Sequence, residues 1–125
     1  MLHHVSLGTN DIAKARDFYD PLMDLLGLRR LKLDDNGVHY GTGDILFSVV
    51  RPTNGKAAGY GNGTHVAFLA RDRSMVDRFH DLAMSRGGAS DGEPDTRPEY
   101  DPNYYASFVR DPDGNKIEAV TFAAS

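Results

Sequence analysis

His4, His65 and Glu118 are side chains of the kinds that hold divalent metals, and each stands in a short apolar stretch, at residues 2–9, 64–70 and 116–122. Two imidazoles and one carboxylate can bind a metal on one face and leave the opposite face open to substrate. Glu118 is the most telling of the three. It is flanked by Ile117, Ala119 and Val120, and a carboxylate in a buried strand is costly unless paired, protonated or metal-bound. Each residue also has a plainer reading. A lone histidine on a strand is commonly a hydrogen-bonded structural residue, and Glu118 alone could pair with an arginine or lie on an exposed edge.

The elements that would position these residues come in two similar sets. In the first stretch Val5 and Leu7 point one way and His4, Ser6 and Gly8 the other. Asp11 offers a helix cap, Ile12, Ala15, Phe18, Tyr19, Leu22 and Leu26 recur at helical spacing, and Gly27 suits the helix end. Pro21 removes one helical amide, so a kink or break is expected there. Strand candidates at 28–33, 37–41 and 45–50 form a small meander separated by turn residues. Residues 53–63, rich in Gly and Ala, read as a linker or flap. The pattern then repeats: a strand at 64–70, a cap at Asp72, a helix with Val76, Phe79, Leu82 and Ala83 inward, and Gly87-Gly88 at its end. One constant spacing relates His4 to His65, Val5 to Val66, Asp11 to Asp72, Phe18 to Phe79 and Gly27 to Gly88. The expected organisation is one domain over 1–125, with a first module at about 1–52 and a second at about 64–125. Half of this length makes a marginal core on its own. The duplication also strengthens the triad, because it puts His4 and His65 at equivalent positions.

The last third reads as a Pro- and acid-rich loop at 91–103 and a hairpin. Its strands are 104–110 and 115–122, and its turn is Asp111-Pro112-Asp113-Gly114, with Pro and Gly where a type I turn takes them. Pairing Arg110 with Asn115 sets Ser107 opposite Glu118 and Tyr105 opposite Val120. Tyr105 then shares a face with Glu118, where its hydroxyl either packs or serves a substrate as hydrogen-bond donor or acid. Tyr104, Asn103, Arg97 and Phe47 are the candidate substrate contacts; for Arg97 the competing reading is a solvated loop. His3 and His80 read as structural, and His39, in the meander, could approach the cavity.

Composition excludes several classes. The chain has 125 residues, 40% apolar and 26% charged, with net charge −4. No cluster of Lys or Arg offers the concentrated positive charge of a nucleic-acid surface. With no cysteine, disulfides, thiolate metal sites and a cysteine nucleophile are excluded. No apolar run approaches membrane-spanning length, and the N-terminus carries no signal-like pattern. Cytoplasmic location is the expectation.

The strand with His4-Val5, the cap at Asp11, Phe18-Tyr19 on the first helix, His65-Val66 opening the second unit, and the ending that runs from Phe108-Val109-Arg110 through Asp111-Pro112-Asp113-Gly114-Asn115-Lys116-Ile117-Glu118 resemble the vicinal oxygen chelate superfamily. This is the glyoxalase, bleomycin-resistance and extradiol-dioxygenase group, and the likeness covers essentially the whole chain. The resemblance implies an α+β fold in which two βαβββ modules make a cupped mixed sheet around a divalent metal, commonly in a homodimer. The family's ligand positions match His4, His65 and Glu118. Lactoylglutathione lyases of this group carry a fourth ligand, usually Glu, at a position that aligns here with Phe47, beside Ser48. Two histidines and one carboxylate match instead the dioxygenases and the fosfomycin-modifying thiol transferases. The implied function is a divalent-metal enzyme (Fe2+, Zn2+, Mn2+ or Ni2+) acting on a small oxygen-chelating substrate by dioxygenase-, lyase- or transferase-type chemistry. The alternative is a metal-free, drug-sequestering protein.

Overall fold

The computed structural model describes residues 1–125. Its elements run β1 (Val5–Gly8), α1 (Ile12–Leu25), β2 (Arg29–Asp34), β3 (Gly37–Gly41), β4 (Ile45–Val50), β5 (His65–Leu69), α2 (Arg73–Ser85), β6 (Ala89–Thr96), β7 (Tyr105–Arg110) and β8 (Lys116–Thr121). They build two four-stranded sheets of identical order, β1-β4-β3-β2 and β5-β8-β7-β6. In each, the first strand pairs in parallel with the last and the others are antiparallel. The chain is thus α+β, with two βαβββ modules.

Both helices start alike. The Asp11 carboxylate accepts from the Lys14 amide at 3.0 Å and Asp72 accepts from the Met75 amide at 2.9 Å, satisfying amides that a first turn leaves free. Both end on a glycine in the left-handed region, Gly27 at φ +88° and Gly87 at φ +96°. Gly87, not Gly88, is therefore the counterpart of Gly27, because α2 closes one residue sooner. Helix α1 runs through Pro21 without a break. The amide that proline lacks would have met the carbonyl of exposed Asp17, which water can satisfy.

The faces of the two sheets that carry the helices are packed toward each other. Leu7, Val38, Tyr40, Phe47 and Val49 of the first sheet join Val109, Ile117 and Ala119 of the second in one core of eighteen buried apolar residues. Helix α1 packs on α2, the rings of Phe47 and Phe68 meet at 5.0 Å edge to face, and the Tyr19 hydroxyl donates to Asp111 at 2.6 Å. The opposite faces of the two sheets consequently look away from one another. A shared inner surface within one chain, as the sequence suggested, is not formed.

Three further expectations change. Strand β1 begins at Val5, so His4 precedes it, and His3 is exposed rather than packed. The first part of the presumed loop 91–103, through Thr96, belongs to β6, an edge strand of mostly exposed residues with two irregularities in its pairing. Its sequence, Ala-Ser-Asp-Gly-Glu-Pro-Asp-Thr, has few strand formers, and a proline is tolerated at such an edge. In the final hairpin Arg110 pairs with Lys116, which puts Phe108 opposite Glu118 and Tyr105 opposite Thr121. Register moves by one residue, and every β7 side chain changes face relative to the expectation. No helix is long and apolar enough to cross a membrane.

Candidate functional site

Glu118 stands in the middle of β8, between β5 and β7, on the outward face of its sheet. Ile117 and Ala119 on either side point into the core, so strand alternation sends Glu118 the other way. It is nonetheless only 1% exposed. His65 Nε2 lies 3.1 Å from one carboxylate oxygen and the Tyr104 hydroxyl donates to the other. Burial, reinforced by the Glu118 carboxylate, holds the Tyr104 phenol well above its ordinary value, so it stays a donor at neutral pH. Its ring is held between Tyr100 and Phe122, at 5.1 and 5.3 Å.

A cavity of about 830 Å³ opens over this cluster, lined among others by His65, Tyr104, Phe108, Arg97 and Lys116. At its base an imidazole nitrogen and a carboxylate oxygen are already adjacent, a donor pair suited to borderline and hard divalent ions. The residues present therefore fit two positions of a metal site. No group of three or more His, Asp or Glu in the chain is placed to hold a metal ion. His4, the counterpart of His65, is exposed on the other sheet's side, with its Nδ1 2.9 Å from His3 Nδ1. His3 in turn reaches Asp44 at 3.4 Å.

The remaining candidates separate cleanly. Arg97 and Tyr104 line the cavity. Tyr105 lies on the helix face, where its hydroxyl donates to Asp77 of α2 at 2.6 Å, and burial together with that carboxylate pushes its pKa up to about 12. A phenol engaged there does not serve the cavity. Phe47 is 2% exposed in the core, against Tyr19 and Phe68, so it is a packing residue and no substrate contact. Asn103 is exposed, its backbone N–H donating to the Asp101 carboxylate, and it does not line the cavity. His80 is buried against Ser90 at 2.8 Å.

Pairing also revises the comparison of the modules. Val5 pairs with Phe47 and Ser6 with Ser48; Val66 pairs with Ile117 and Ala67 with Glu118. The first-module counterpart of Glu118 is thus Ser48, not Phe47. Ser48 is buried and 2.7 Å from His39 Nδ1, where His39 occupies the place that Phe108 has in the second module. A signal for the correct register was present in the turn. Gly114 has φ +87° and donates to the Asp111 carbonyl at 2.9 Å, while the Asp111 amide donates to Asn115. This is a type I turn followed by a left-handed glycine, a three-residue loop that carries one residue more than the simple turn.

The family model described as Glyoxalase/Bleomycin resistance protein/Dioxygenase superfamily matches residues 1–119. Among solved structures, a glyoxalase/bleomycin resistance protein from Albidiferax ferrireducens is 34% identical with a TM-score of 0.88, covering 97% of this chain and 98% of its own. A glyoxalase-related enzyme from Fulvimarina pelagi superposes with a TM-score of 0.75 at 19% identity, over 97% and 87% of the two chains. A lactoylglutathione lyase from Agrobacterium tumefaciens gives 0.66 at 23% identity, over 97% and 92%. No curated protein matches the chain significantly. The matching family model, the 34% identity and the shared βαβββ architecture together place this chain in the Glyoxalase/Bleomycin resistance protein/Dioxygenase superfamily.

Proposed function

We propose that the protein is a divalent-metal-dependent enzyme acting on a small molecule through two adjacent oxygens. The observation that carries this reading is the buried Glu118 carboxylate with His65 Nε2 at 3.1 Å on the floor of the cavity. His65 and Glu118 would hold the ion, with iron(II), zinc, manganese and nickel all compatible with an N,O donor set. A divalent ion in that place supplies a Lewis acid to the substrate oxygens. Tyr104, donating to Glu118, fixes that carboxylate's orientation, as outer hydrogen bonds do for metal ligands. Phe108 and Tyr104 wall the cavity, and Arg97 contacts substrate within it.

The third ligand in this reading is His4 of a second copy. Within one chain His4 and His65 belong to sheets that face apart, whereas a homodimer can lay the outward face of one first module over the outward face of another second module. Those faces leave large apolar side chains bare: Leu69 and Phe122 in the second module, Leu46 in the first. Such exposure supports a covered surface.

Metal analysis of untagged protein tests the reading. Wild type is expected to take up one ion per chain, and the His4→Ala and Glu118→Gln variants none. An equimolar, re-equilibrated mixture of the two variants is the sharper measurement. If ligands come from different copies, each mixed dimer regains one intact site built from the unmutated His4 and Glu118. No uptake by wild type of iron, zinc, manganese or nickel would sink the enzyme reading and leave metal-free ligand binding. Sedimentation of a monomer at micromolar concentration would remove the shared site.

A further inference from the structure

The cavity over Glu118 holds one cation that pairs with no carboxylate of the protein. Lys116 and Arg110 both reach Asp91, at 3.4 and 3.1 Å. Glu118 is engaged by His65 and Tyr104, and Glu99 is exposed on the rim. Arg97 takes part in no ion pair. It is half-buried, and Nη2 donates only to neutral carbonyls, those of Glu93 at 2.7 Å and Ala106 at 3.4 Å. Its Nε is buried without any hydrogen-bond partner. A guanidinium has five donors in a planar fork and matches carboxylate or phosphate geometry, so a fork with no ion pair and no partner on Nη1, standing in a cavity wall, is an incomplete oxyanion site.

The surroundings hold the fork in place. Its carbon lies 5.4 Å from the centre of the Phe108 ring, and Lys116 Nζ lies 5.0 Å from the same ring. Gly92 makes room for this arrangement, since a Cβ there would come within 2.9 Å of the Phe108 ring and 3.3 Å of Arg97 Nη2. Backbone carbonyls on one side and an aromatic face beneath fix the guanidinium, while no carboxylate of the protein pairs with it.

We propose that Arg97 is a specificity-determining residue that binds an oxyanion, a carboxylate or a phosphate-type group. The substrate is then a small acid with its anionic end at Arg97 and its chelating oxygens at His65 and Glu118, an assignment of substrate class that rests on the reading of that pair as a metal site. Tyr100, Tyr104 and Phe108 along the wall favour a flat body between the two ends.

The test uses metal-free, full-length protein, so that anion binding is read apart from metal uptake. Benzoate, phenyl phosphate and neutral benzamide are titrated calorimetrically, and the Arg97 side-chain Nε–H resonance is followed by NMR. The two anions are expected to bind saturably and shift that resonance, and benzamide to bind at least roughly tenfold more weakly. The tighter anion identifies a carboxylate or a phosphate as the natural group. Arg97→Gln is expected to weaken the anions by roughly tenfold or more without changing benzamide. Gly92→Ala is expected to do the same in part, by displacing the fork with its charge intact. Because these titrations contain no metal, Arg97-dependent anion binding is expected whether or not the wild type takes up an ion, so failure of the metal reading is seen separately. Equal binding of benzoate and benzamide, or unchanged anion affinity in folded Arg97→Gln or Arg97→Lys together with Gly92→Ala, would overturn the proposal.

Discussion

The two modules share strand order, parallel register and helix caps, yet their outward faces differ. In the second module the central strand presents Glu118, held by His65 and Tyr104 under a cavity. In the first, the equivalent position is Ser48, which bonds to His39, and His4 stands free of its sheet. Inward faces obey the opposite rule. Phe47 and Ile117 occupy matching positions and both are buried in the common core. Duplication has kept the apolar interior of the repeat and let its polar surface diverge. Packing constrains both halves together, because the two inward faces touch, whereas each outward face is free to take its own chemistry.

The strongest way to break this comparison is at the inward pair. Phe47→Ala removes the ring that bridges Tyr19 and Phe68 and should cost about 3–5 kcal/mol. Ile117→Ala should cost about 2–5 kcal/mol. Urea denaturation monitored by circular dichroism reads both, and neither change should alter ligand affinity in protein that remains folded. A loss below about 1 kcal/mol for Phe47→Ala would mean that the modules are not joined through this residue.

Next in size is the turn that distinguishes the second module. Asp111 is 5% exposed and accepts from the Tyr19 hydroxyl, the Asn115 side chain and the amides of Asp113 and Asn115. Asp111→Ala strands these donors and should cost about 3 kcal/mol. Burial outweighs the donated hydrogen bonds and raises the Asp111 carboxyl above its ordinary 3.8. A raised acid contributes its full stability below that ordinary value and loses it as pH rises through the folded value. The stability of wild type minus that of Asp111→Asn should therefore be larger below pH 3.8 and shrink toward neutrality. A difference that grows with pH would show that the carboxylate's hydrogen bonds outweigh its burial.

A third test converts one outward face into the other. Glu118→Ser gives the second module the residue found at Ser48 and should lower metal affinity by at least roughly 100-fold, measured by competition with a chelating dye. Unchanged affinity would move the metal away from this strand.

Much of this was legible in the residues. Both modules, most core positions of the two helices, and the outward direction of Glu118 and His65 follow from apolar periodicity and from the repeat itself, whereas Met23, Met75 and His80 were not singled out as buried. What was not legible turns on single-residue geometry. Reading Asp111 to Gly114 as a plain four-residue turn, without the left-handed glycine as an added loop residue, moved β7 by one. It thereby chose Tyr105 over Tyr104 as the partner of Glu118. The equation of Glu118 with Phe47 has the same origin, since only the strand pairing shows that Ser48 lies beside Ser6 as Glu118 lies beside Ala67. Strand β6 was hidden because an exposed edge needs little apolar patterning. The separation of His4 from His65 could not be read at all. Periodicity tells which face a residue takes, and both take the outward face, but whether two modules meet front to front or back to back is decided by the packing of their helices.

The smallest effect expected lies in the caps, where the modules come closest to identity. Asp72 and Asp11 each accept one amide of the first helical turn, and alanine at either should lower the melting temperature by about 2–4 °C. The Asp72 carboxyl is held below its ordinary 3.8, first by the Met75 amide and then by Arg71. A lowered acid contributes stability above its unfolded value and loses it as pH falls through the folded one. The gap between wild type and Asp72→Ala should accordingly be full at neutral pH and close below pH 3.8, the reverse of the trend at Asp111. Following both variants through one acid titration sets a half-exposed carboxylate that gains a donor against a buried one that loses water. If both gaps close in the same direction, burial is not what separates the two sites.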